Sequence, residues 1–182
     1  QRVRRGDRLG AIGYSGQAAF AHLHFSVRKD GKHIDPFTKR PLGATCTQPP
    51  VAGLWRQDVQ LPYRGGTLIE TGFIGKPVDS RALEIGLDAR WRATATSPAF
   101  VFFARFINLK RGDRIRLSLQ GPAGLKAANT GKHLERAKAT YVAYVGKKLR
   151  RNRWPAGIYR GRVALLRGSR VLHEKAVTYQ LR

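Results

Sequence analysis

From His22 to Arg28 apolar and polar residues alternate strictly. Leu23, Phe25 and Val27 fall on one face and His22, His24, Ser26 and Arg28 on the other, the period-two pattern of a half-buried strand. Leu9 to Gly13 precedes it as a short apolar run punctuated by glycines. Lys29-Asp30-Gly31-Lys32 then supplies Asp-Gly, a strong hairpin signal, and His33-Ile34-Asp35-Pro36 reads as a short return strand stopped by proline. Between residues 39 and 66 the breakers Pro41, Gly43, Pro49, Pro50, Pro62 and Gly65 predict a connection without long regular elements.

Beyond that connection the pattern is again β. Candidate strands are Thr67–Ile74, Ala82–Leu87, Ala99–Ile107 and Arg114–Gln120, with a turn at Lys110-Arg111-Gly112-Asp113. Ile158–Leu166 and Arg170–Tyr179 flank Arg167-Gly168-Ser169 as a closing hairpin. Leu134–Val145 fits either element: its apolar spacing is helical, but the β-branched and aromatic residues from Thr140 onward favour a strand. Short strands with regular turns over residues 67–182 predict an immunoglobulin-like β-sandwich.

Composition narrows the possibilities. The 182 residues suit one ordinary domain or two small ones, and 42% hydrophobic residues can build a core, so wholesale disorder is excluded. No stretch approaches the roughly 18 apolar residues of a membrane-spanning helix. The single Cys46 excludes an internal disulfide framework and any Cys-rich zinc module. The chain opens without Met and its first turn follows at once, which reads as a chain whose beginning is missing.

Charge is the strongest compositional feature. The net charge is +24, and both parts of the chain share it. Such a surface repels itself and attracts polyanions. The sharpest cluster is Lys147, Lys148, Arg150, Arg151 and Arg153, expected to bind an anionic polymer, with Arg160 and Arg162 on one face of the following strand. Charge is the whole case for a specific nucleic-acid partner: no recognition helix, zinc finger or aromatic RNA-binding motif accompanies it.

The chemistry centres on His22-Leu23-His24. Residues i and i+2 of a strand share a face about 6.8 Å apart, so two imidazoles can converge on a cation, or one can ligate while the other handles a proton. His33 lies close to the hairpin turn, and His133 and His173 read as surface residues. The two Arg-Gly-Asp tripeptides read as turns.

Around this pair run Arg5-Gly6-Asp7-Arg8-Leu9-Gly10-Ala11-Ile12-Gly13, a loop with Gly16, His22-Leu23-His24-Phe25-Ser26-Val27, Asp30-Gly31 and Ile34-Asp35-Pro36, in that order. This closely resembles the C-terminal half of the lysostaphin/LytM-like zinc metallopeptidases, peptidase family M23, over residues 1 to about 37. The resemblance implies a truncated antiparallel sheet of an M23-like peptidase in residues 1–46, a linker over 47–66 and the sandwich as an accessory domain over 67–182. It implies a zinc-dependent endopeptidase that cuts peptide cross-links of bacterial peptidoglycan in the periplasm or cell envelope. His24 would be the zinc ligand and His22 the catalytic residue, with zinc activating water and polarising the scissile carbonyl. Peptidoglycan is the implied partner, with anionic envelope polymers as further candidates for the basic cluster. In that family two more zinc ligands come from an upstream His-x-x-x-Asp, and no such motif occurs here. Gln17-Ala18-Ala19-Phe20-Ala21 stands where the family usually has Gly-Pro, and Ser26 replaces a common acidic residue. The alternative is a non-catalytic LytM-like regulatory or wall-binding module.

Overall fold

In the computed structural model, residues 2–4, 6–13, 22–41, 53–56, 58–59, 65–84 and 91–182 are described, and the chain divides into two units, 1–63 and 64–182. It is mostly β, with antiparallel sheets.

Among its described residues the first unit has one hairpin. Strands β1 (Val27–Lys29) and β2 (Lys32–Ile34) pair antiparallel, Val27 opposite Ile34 and Lys29 opposite Lys32. Asp30 and Gly31 both take positive φ, 49° and 74°, the signature of a type I′ turn whose twist matches the strands it joins. β2 stops where expected. Asp35 accepts from the Phe37 amide at 2.8 Å through Oδ1 and from the Thr38 hydroxyl at 3.1 Å through Oδ2, so its carboxylate folds the chain into the turn at Pro36.

That early stop corrects the strand expected from His22. Pairing begins only at Val27, because β2 has ended by the time a partner for residues 22–26 would be needed. The apolar face is correspondingly uncovered: Leu23 is 76% and Phe25 59% exposed. A two-stranded hairpin cannot bury such a face.

Among its described residues the second unit has seven strands in two sheets. β3 (Thr67–Ile74), β4 (Ala99–Leu109) and β7 (Lys138–Lys148) form one, in the order β3-β4-β7. β5 (Asp113–Gln120), β6 (Lys126–Thr130), β8 (Gly157–Arg167) and β9 (Arg170–Leu181) form the other, in the order β6-β5-β8-β9. The sheets share one core. Phe100, Phe102 and Phe106 of β4 pack with Leu117 and Leu119 of β5 and Val163 of β8. Aromatic rings fill its centre, with Phe100 stacked on Tyr159 at 4.0 Å between centroids.

β4 is apolar on both faces, and both are covered. Its other face buries Ala99, Val101 and Phe103 together with Leu83 of α1 (Ser80–Glu84). Over residues 82–84 this short helix replaces the strand expected for Ala82–Leu87, whose remaining residues lie outside the described ones. Asp79 caps it, its Oδ1 accepting from the Ala82 amide at 3.2 Å, and a capped turn satisfies amides that an unpaired strand would leave open. Of the stretch 134–145, residues from Lys138 onward belong to a strand, β7, and 134–137 precede it. The unexpected strand is β6: Lys-Ala-Ala-Asn-Thr has little β propensity and forms through its ladder to β5.

Candidate functional site

His22 and His24 lie on the segment that leads into β1, and both are exposed. An aromatic contact follows on the same segment: the Trp55 ring lies 5.7 Å from Phe25 and 5.7 Å from Phe37. The Leu54 amide donates to the Pro36 carbonyl at 2.7 Å and holds the 53–55 segment against the turn. His33 is exposed on β2 opposite Arg28. Asp35 is committed to its turn. His133 and His173 belong to the second unit. Cys46 and the loop at residues 14–21 lie outside the described residues.

A hydrolytic zinc site takes three protein ligands and keeps one open position. Among the described residues no group of three His, Cys, Asp or Glu side chains stands close enough to hold a metal ion. Two neighbouring imidazoles do not fit a complete zinc site by themselves.

The basic cluster is built by the second unit. Lys147 and Lys148 end β7, and Arg150, Arg151 and Arg153 occupy the loop leading to β8. With the β5–β6 turn these five residues line a cleft of about 350 Å³, and Lys126 joins them from the far wall. A neighbouring cleft of about 730 Å³ shares Arg151 and Arg153 and adds Arg182.

The core fixes this loop from beneath. The Leu149 amide donates to the Pro98 carbonyl at 2.8 Å and the Trp154 amide to Ala95 at 2.7 Å. The Trp154 indole Nε1 donates to the Ser97 carbonyl at 2.8 Å, and the Tyr159 hydroxyl to Pro155 at 2.8 Å. Burial pushes the Tyr159 phenol above its ordinary range, so the hydroxyl stays a donor. Arg150, Arg151 and Arg153 remain exposed on this fixed loop.

Sequence reasoning reached the five contiguous cations but not Lys126. Its place in the cleft depends on a pairing, Gln120 opposite Lys126, that local pattern does not reveal.

No family model matches the chain, no curated protein resembles it and no solved structure matches it.

Proposed function

We propose that the chain contributes to a zinc-dependent endopeptidase of M23 type acting on peptide cross-links of bacterial peptidoglycan in the periplasm or cell envelope. The observation that carries this reading is the run His22-Leu23-His24-Phe25 entering an Asp-Gly hairpin and an Asp-Pro stop. The positive φ at Asp30 and Gly31 and the turn built on Asp35 support it. In this proposal His24 is a zinc ligand, His22 the catalytic residue, and the remaining ligands come from outside the described residues. The uncovered Leu23 and Phe25 support the same reading, since a strand of a larger sheet carries an apolar face for other elements to cover. The second unit is an immunoglobulin-like accessory domain in this proposal, supported by seven strands among its described residues, in two antiparallel sheets around one core.

The second reading is a non-catalytic LytM-like module. The lack of a third metal-ligating group among the described residues favours it.

The test uses the full-length gene product on purified peptidoglycan, with metal analysis beside release of soluble wall peptides. The peptidase reading expects both zinc and release, and expects His24→Ala to lose both. His22→Ala should keep zinc near one per chain and lose about 10²–10⁴-fold in turnover, the usual worth of positioned acid–base help. Neither zinc nor release in the unmodified protein leaves the non-catalytic module.

A further inference from the structure

We infer that the second unit carries a track for a linear, base-free polyanion, a chain of repeated phosphate or carboxylate groups, running from the β7–β8 loop onto the outer face of the four-stranded sheet.

Register places the cations in line. Gln120 of β5 lies between Lys126 of β6 and Arg160 of β8, so all three share one row of the sheet. Strand spacing puts Lys126 and Arg160 about 10 Å apart, and Arg162 follows Arg160 on the same face about 6.8 Å further along. That face is outward, because the alternate residues Tyr159 and Val163 are buried in the core. Lys126 also lines the cleft beneath the 147–153 segment, so loop and sheet are continuous through it. Arg160 and Lys126 line a shallow recess together with Ile158.

Among the described residues no ion pair engages this row, although one carboxylate shares the outer face: Glu174 of β9, opposite Ala164 and diagonal to Arg162. Neither cleft has an acidic residue in its lining. The ion pairs described in this unit, Glu70 with Arg105 and Asp113 with Arg167, leave the track's cations out. Like charges held this close oppose folding, and an external polyanion removes that opposition. The hydrogen bonds that fix the loop lower the ordering cost of binding.

The shape of the site excludes other ligands. The first cleft is open, meets its neighbour through Arg151 and Arg153 and the recess on the sheet through Lys126, which suits a chain rather than a single enclosed anion. The rings beside them, Trp154 and Tyr159, are buried, so no aromatic platform is offered to a nucleobase. Recognition is left to charge and to the guanidinium fork, which matches phosphate and carboxylate alike.

The test is fluorescence anisotropy with the whole 182-residue chain and three labelled probes of matched charge: linear polyphosphate, polygalacturonate and oligo(dT). Polyphosphate or polygalacturonate should bind best. For five or six neutralised charges on a single-chain polymer, affinity should fall about 100–300-fold between about 50 and 200 mM salt. The arm that binds more tightly identifies phosphate or carboxylate as the preferred group. Arg151→Glu with Arg153→Glu should weaken binding at least about tenfold, and Lys126→Glu with Arg160→Glu should do the same. Arg111→Glu with Arg170→Glu, an equal charge change at the opposite ends of the strands, should cost less than about threefold. All six residues are exposed, and unchanged melting curves establish that the variants fold. Equal losses from all three pairs, or no binding to either base-free polymer, would overturn the track. Tighter binding of oligo(dT) would replace it with a nucleic-acid site. None of these outcomes depends on wall hydrolysis, so the peptidase reading and the track stand or fall separately.

Discussion

Arg167 grips the fully buried carboxylate of Asp113 at two points, Nε to Oδ1 at 2.7 Å and Nη2 to Oδ2 at 2.9 Å. The pair joins the start of β5 to the end of β8, and the Lys110 amide adds a third bond to Oδ2 at 2.8 Å. Burial acts to raise the Asp113 pKa. The Arg167 fork and the Lys110 amide outweigh it and hold the carboxyl below its ordinary range.

A depressed carboxyl contributes stability that is present above the unfolded pKa of about 3.9 and is lost as pH falls through the folded value. Asp113→Asn should therefore cost about 2 kcal/mol at neutral pH, below the 3–5 kcal/mol of a fully buried pair because the Arg167 side chain keeps 34% exposure. The gap between parent and variant should narrow below about pH 4. Urea midpoints at pH 7 and pH 3 check both statements, and an equal gap at the two pH values contradicts them.

Gly161 is required by space. A Cβ there would meet the Phe102 ring, which is itself fully buried at the core centre. Gly161→Ala should destabilise the second unit by about 1–3 kcal/mol through overpacking. Adding Phe102→Leu should recover part of that loss, since the two changes share one volume. Denaturant melts of the two single variants and the double variant measure the coupling, and strict additivity would show that the ring is not the obstacle.

How much was legible followed from whether the signal was local. The ends of β3, β4, β5, β8 and β9 were readable to within two residues because apolar runs met turn residues such as Gly112 and Gly168, both at positive φ. The two-faced burial of β4 was not anticipated, although its nearly continuous apolar run carries that signal. α1 was misread because a short apolar run fits either element, although the Asp79 cap was there to be used. At the candidate site, residue order around His22 and His24 was readable, but whether residues 22–26 pair depends on a partner strand that Asp35 and Pro36 end. The basic loop was legible as a contiguous run. Its far wall, Lys126, was not, because only the β5–β6 ladder brings it there.

Leu23 and Phe25 provide a direct test of that difference. Were they core residues, replacing either by Ala would cost about 2–5 kcal/mol. At 76% exposure Leu23→Ala should change stability by less than about 0.5 kcal/mol. Phe25→Ala should cost about 1 kcal/mol or less, through the lost contact with Trp55. Trp fluorescence should register the second change more strongly than the first, because Trp55 touches Phe25. A large loss from Leu23→Ala would show that its face is covered in solution.

The same segment sets an expectation for metal. His22 and His24 are the two imidazoles the sequence motif places together, and no third ligating side chain joins them among the described residues. Structural and catalytic zinc sites reach high affinity through three or four protein ligands in a fixed geometry. Two imidazoles on an exposed segment hold the ion by fewer bonds and leave most of its coordination to water. The 182-residue chain should therefore bind zinc more weakly than about micromolar at neutral pH, a range of roughly 8 kcal/mol or less. Either His22→Ala or His24→Ala should remove most of what is bound, because a single imidazole is a poorer holder still. Titration calorimetry with the parent and both variants reads the affinities, and a chromophoric chelator provides a competition check. One zinc per chain at sub-micromolar affinity would mean that residues outside the described set complete the site within this chain. In that case the same preparation should release wall peptides, and the split between His22 and His24 becomes measurable without any longer protein.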